Sequence, residues 1–130
     1  MTRVSDMKLC LRVFLSFVSI LVLLPLMGCE QSDYYDHVPA SGKGSLVVDN
    51  NSGNNISVFV DGAKIMAISG GDYDVADLTP GSFRIVISSD NAYQSYSGYL
   101  DIIEKYLTIL EVRPSSTNNF YSFDVITTYY

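Results

Sequence analysis

Tryptophan is absent from this chain, histidine occurs once, and cysteine occurs twice. Lysine and arginine are also scarce, eight against fourteen acids. Each shortage excludes something. Nucleophilic catalysis needs a base beside its nucleophile. The single histidine, His37, sits in a polar segment, and the serines cluster in turn-like stretches. The sequence therefore predicts no catalytic centre and no enzyme. Cys10 lies in the N-terminal segment and Cys29 at the close of its apolar run, which leaves no cysteine after residue 29 for a metal site. No metal and no cofactor are expected. The acidic balance repels phosphate backbones, which argues against nucleic acid as a partner.

Long apolar runs are also missing, with one exception near the N-terminus. Residues 13–27 carry no charge and are dominated by Leu, Val, Ile and Phe. Arg3, Lys8 and Arg12, against the single Asp6, give a basic flank before them. A membrane-spanning helix needs about 20 apolar residues, and this run is shorter and carries Pro25. It has the three-part layout of a secretory signal, with Met7 a second plausible start beside Met1. The run closes on Leu26-Met27-Gly28-Cys29. That tetrapeptide resembles the lipobox of a bacterial lipoprotein signal peptide, with Leu26 as the branched apolar residue and Gly28 as the small residue before the cut. Met27 departs from the pattern, which more often has a small residue there. The resemblance implies that residues 1–28 are removed and that Cys29 becomes a lipidated N-terminus. It implies a protein of the bacterial cell envelope, held to a membrane by lipid. Glu30 stands where Asp often acts as an inner-membrane retention signal, which tilts the address toward the outer membrane.

On that reading the leader takes one acid and three bases with it, so 14 acids against 8 bases become 13 against 5. The remainder has a net charge of −8 and no cysteine for a disulfide, so it must rely on its core. Residues 29–43 are polar, with Pro39 and Gly42 near their end, and are expected to be a tether. Within it Tyr34, Tyr35 and His37 are expected to be solvated, with packing on the domain as the alternative.

From 44 to 130 the chain reads as short strands separated by turn residues. All ten tyrosines lie after residue 28, alongside frequent Val and Ile, and these are strand formers. Strands are predicted at 45–49, 56–61, 63–68, 73–78 and 82–88, then one or two over 93–103, and finally at 106–113 and 120–128. Ile56, Val58 and Val60 alternate with polar or outward positions, as do Phe83, Ile85 and Ile87. In 73–78, Val75 and Tyr73 are expected to point inward. Asp61-Gly62 predicts a type I′ hairpin turn, which needs positive φ at both central residues. Pro80-Gly81 predicts a type II turn. Ser89-Asp90-Asn91 and Glu104-Lys105 are further turns. Residues 106–113 are apolar on both faces, the mark of a central strand. A helix over 99–110, carried by Leu100, Ile103, Leu107 and Leu110, is the competing reading; β-branched residues and Gly98 weigh against it. The fold expected is all-β: a small antiparallel β-sandwich of seven or eight strands.

Three stretches carry a further likeness. They are Gly44-Ser45-Leu46-Val47-Val48, Val58-Phe59-Val60-Asp61-Gly62, and Leu78-Thr79-Pro80-Gly81 followed by Phe83-Arg84-Ile85-Val86. In that order they resemble the small transthyretin-like or PEGA-like sandwich modules of bacterial envelope proteins. The likeness covers about half of the chain after the leader and rests on turn chemistry, so it implies a fold far more than a function.

Candidate functional residues are few. Asp72, Asp74 and Asp77 read as charges guarding an edge strand. The Asn-rich stretch 49–55 fails as an EF-hand loop, because Asn54 stands where the loop glycine belongs. Exposed tyrosine rings stack on sugars and dock proteins. Tyr93, Tyr96 and Tyr99, or the pair Tyr129-Tyr130, are the candidate platform for a partner, an envelope protein or a glycan. The expectation is a non-catalytic, lipid-anchored envelope module, an adaptor or structural protein. The alternatives are a carbohydrate- or peptidoglycan-binding lipoprotein and an accessory subunit of a secretion or surface-assembly apparatus.

Overall fold

The computed structural model describes residues 35–91, 93–117 and 120–130. The leader at 1–28, the lipobox residues Leu26, Met27 and Gly28, and Cys29 lie outside the described residues. Asp36–Tyr130 forms one compact unit. It consists of eight strands: β1 Gly44–Asn50, β2 Ile56–Val60, β3 Ala63–Ile68, β4 Tyr73–Leu78, β5 Gly81–Ser89, β6 Ser95–Ile102, β7 Leu107–Pro114 and β8 Phe123–Tyr129. They form two four-stranded sheets, ordered β4-β1-β7-β8 and β3-β2-β5-β6. The all-β sandwich expected from the sequence is what is observed. The competing helix over 99–110 is instead the end of β6, a turn, and the start of β7.

Period-2 patterning explains which faces meet. Ile56, Val58 and Val60 of β2 and Ile85 and Ile87 of β5 point inward and are buried. Opposite them stand Leu46 and Val48 of β1 and Leu110 and Val112 of β7. Each such side chain contributes about 1.5–3 kcal/mol by leaving water, and together they form one core. The Asp61-Gly62 turn has φ of 49° and 86°, both positive as the hairpin demands.

Four details differ from the sequence reading. First, the sandwich is not wholly antiparallel: β1 runs parallel to β7, with Ser45 opposite Leu107 and Asn50 opposite Val112. Both strands lie inside their sheet. All seven residues of β1 are buried, and β7 is central as its two apolar faces predicted. Second, β4 is in the opposite phase. Leu46 pairs with Ala76, so Ala76 and Leu78 pack on the core while Tyr73 and Val75 face outward. Tyr-x-Val and Ala-x-Leu are both plausible inward sets, and only the pairing chooses between them. Third, Gly81 has φ 157°. It is nearly extended and opens β5, whereas a type II turn needs about +80° there. Fourth, residues 93–94 and 120–122 belong to loops, not strands.

The directions of β1 and β7 define two ends. The proximal end holds Gly44, the Asp61-Gly62 turn, the 79–80 link, the 103–106 turn and Tyr130. The distal end holds the loops 51–55 and 69–72 and the described residues of two more, 90–91 with 93–94 and 115–117 with 120–122.

Candidate interaction surface

The distal loops are assembled around one side chain. Asn50, at the end of β1, is fully buried. Its Nδ2 donates to the carbonyls of Asn54 (2.7 Å), Ser69 (3.0 Å) and Ile68 (3.2 Å). Its Oδ1 accepts from the Ser52 hydroxyl (2.6 Å) and the Ser52 N–H (3.2 Å). An amide has two donor hydrogens and two acceptor lone pairs, and here both ends are engaged. One asparagine thus ties the β1–β2 loop to the β3–β4 loop. The backbone follows the same route: Gly71 N–H donates to Asn50 O (2.8 Å) and Asn50 N–H to Asp72 O (2.9 Å). Gly70 lies so close to Gly53 that a Cβ on Gly70 would come 2.8 Å from the Gly53 carbonyl carbon, so the crossing needs glycine at 70, whereas Gly53 has open space around it and is favoured as glycine by its φ of 79°.

The network extends to the β5–β6 loop. Asn54 Nδ2 donates to Gln94 Oε1 (2.9 Å), and Asp90 N–H to Asn55 O (3.0 Å). Within that loop, Ser89 Oγ accepts from Gln94 N–H (3.0 Å) and donates to Asn91 Oδ1. Asn91 Oδ1 also accepts from Tyr93 N–H (3.2 Å), an Asx-type brace. The fourth loop joins through Ser95 N–H, which donates to Tyr121 O (3.2 Å). It is pinned at its other end by Ser116 N–H donating to Asp124 Oδ2 (2.7 Å). Hydrogen bonds from Ser116 hold the Asp124 carboxyl below its ordinary range. Alongside, Arg113 grips Glu111 in a two-pronged pair at 2.7 and 2.8 Å, which lowers the Glu111 pKa.

On this braced base stand three aromatic side chains. Tyr93, Phe120 and Tyr121 are 69, 78 and 71% exposed. They come from the two loops joined at Ser95 and Tyr121. Around them are Ser, Asn, Gln and Thr, the composition of loops that bind by rigid aromatic area and adaptable polar contact.

The tyrosine platform expected from sequence is not brought together. Tyr93 is in a loop. Tyr96 packs against the core, its ring lying over Gly98. Tyr99 is 80% exposed on the opposite face of β6. Positions three apart in a strand face opposite ways, so Tyr96 and Tyr99 do not share a surface. Phe120 and Tyr121, expected in the last strand, stand in the loop before it. The turn-forming run Ser115-Ser116-Thr117 just before them was the signal that they sit in a loop.

The acids of the β4 region do not converge either. Among the described residues, no three His, Cys, Asp or Glu side chains are placed to hold a metal ion. Asp74 accepts its neighbour's N–H. Asp77 on the edge strand β4 does more than guard it. Its carboxylate accepts from Ser45 Oγ and from Ala40 N–H (3.0 Å), and lies 2.8 Å from His37 Nε2. The Ser45 hydroxyl first, then His37 and Ala40, lower its pKa to about 2. His37, expected to be solvated, is therefore latched to the sandwich with the last turn of the tether.

No family model matches the chain, and no curated protein matches it. Function is therefore read from the fold and the surface.

Proposed function

We propose that this chain is a lipid-anchored, non-catalytic module of the bacterial envelope that displays the distal loops of a β-sandwich to a partner. One observation carries the reading: Tyr93, Phe120 and Tyr121 project from a cross-braced base at the end opposite the tether's entry at Gly44. Aromatic residues supply large contact area at little cost in conformational entropy, and the Asn50–Asn54–Gln94 bonds brace the loop that carries Tyr93, which lowers the cost of ordering it on binding. The lipobox-like Leu26-Met27-Gly28-Cys29 supports the anchor, and the transthyretin-like or PEGA-like motifs around Leu46-Val47-Val48, Asp61-Gly62 and Pro80-Gly81 support an envelope module. A protein partner is the preferred occupant. Tyrosine rings beside amide side chains also suit a glycan, so a carbohydrate- or peptidoglycan-binding role is the second reading.

Two substitutions test the halves separately. Cys29→Ser should leave an unprocessed precursor that takes up no labelled palmitate; equal labelling would remove the anchor. Replacing Tyr93, Phe120 and Tyr121 together by Ser in the anchored protein should abolish partner recovery after mild crosslinking while the thermal midpoint stays within a few degrees. Undiminished recovery would show that the partner docks elsewhere.

A further inference from the structure

We propose that the proximal end of the sandwich rests on the lipid bilayer, with Tyr106, Tyr129 and Tyr130 at head-group depth and Lys43 and Lys105 beside them. The inference rests on the lipid anchor at Cys29 proposed above. Backbone hydrogen bonds gather this patch. Lys105 N–H donates to Lys43 O (2.8 Å), Ser45 N–H to Tyr106 O (3.0 Å), and Leu107 and Tyr130 exchange both their bonds (2.8 and 2.9 Å). Tyr129 stands opposite Thr108 in the ladder. The result is a surface on which Ile103, Tyr106, Tyr129 and Tyr130 are each about half exposed.

Two features select a lipid surface as the occupant. Tyrosine favours the membrane–water interface, where the ring is apolar and the hydroxyl stays wet. Charge does not select it: Lys43 and Lys105 stand among Asp36, Asp61 and Glu104, with Lys64, Arg84, Asp77 and Asp101 on the adjoining strand ends, so the lysine stems add apolar cover and the rings, not attraction to anionic head groups, make the contact. The second feature is reach. Cys29 to Asp36 is seven residue steps, at most about 25 Å of extended chain. Beyond that the chain is held to β4 through His37 and Ala40. A short tether gives an effective concentration in the millimolar range, so a contact too weak to form from solution is occupied once the lipid is inserted. The distal loops then face away from the membrane, toward whatever they bind.

The absence of tryptophan makes the test direct. The lipidated full chain, with Tyr34→Phe and Tyr35→Phe in the tether, is reconstituted in phosphatidylethanolamine–phosphatidylglycerol vesicles with brominated or ordinary acyl chains. Tyrosine emission should be lower in the brominated vesicles. Adding Tyr106→Phe, Tyr129→Phe and Tyr130→Phe, substitutions that keep the rings, should make emission equal in the two. Equal emission before those three changes, with the protein floating with the vesicles, would overturn the inference and leave the anchor standing. Quenching that persists after them would place other tyrosines at the membrane and also overturn it. Failure to float, with no acyl chain detected by mass spectrometry, would remove the anchor reading and this inference together.

Discussion

The two ends of this sandwich solve the same problem, closing the gap between two sheets, with different materials. At the distal end three loops are stitched by side-chain amides and hydroxyls centred on the buried Asn50, and the fourth joins through the backbone bond of Ser95 to Tyr121. At the proximal end the closures are backbone bonds, such as Lys105 to Lys43 and Ser45 to Tyr106, plus the surface latch of His37 and Ala40 on Asp77. A buried amide with every bond satisfied fixes one arrangement, because any alternative leaves polar groups unpaired. That suits loops which must present aromatics in a constant pose. A surface carboxylate latch holds more weakly and yields to pH.

Removing the distal hub should break the contrast most severely. Asn50→Ala leaves the carbonyls of Ile68 and Ser69 without their amide donor, at about 2–4 kcal/mol for the several bonds lost. Chemical denaturation would read it, and a neutral result would mean water replaces the amide. Next comes the loop crossing. Gly70→Ala puts a methyl against the Gly53 backbone and should cost about 1–3 kcal/mol as overpacking, whereas a comparable change at Gly42, where a Cβ meets nothing within 4 Å, should cost less, arising only from its positive φ. The smallest effect belongs to the latch. Asp77 has a folded pKa of about 2 against an ordinary 3.8. Its contribution is therefore full above 3.8 and is lost as pH falls through about 2. Asp77→Asn should flatten that part of the acid limb in a pH series of thermal melts. An unchanged limb would assign the acid sensitivity to Glu111 and Asp124, whose pKa values are also lowered.

Much of the fold was legible because its signals are local. Asp61-Gly62 could only be a primed turn, and Phe83-Ile85-Ile87 and Ile56-Val58-Val60 could only bury one face. What escaped depended on distant partners. The parallel pairing of β1 with β7 joins Ser45 to Leu107, and no local pattern encodes it. The phase of β4 was undetermined until Leu46 met Ala76. Asn50 looked like one member of an Asn-rich loop, since its partners come from two separate loops. The grouping of Tyr93, Tyr96 and Tyr99 failed for a reason visible in the spacing itself: strand positions three apart cannot share a face.

The central claim is that the distal aromatics, and not the sheet faces, meet the partner. Site-specific photocrosslinking in cells tests it most directly, with a benzophenone side chain placed singly at Tyr93, Phe120, Tyr121, Tyr99 and Tyr73. The account predicts one discrete adduct from positions 93, 120 and 121 and none from 99, on the outward face of β6, or 73, on the outward face of β4. Adducts from 99 or 73 with none from the three distal positions would contradict it.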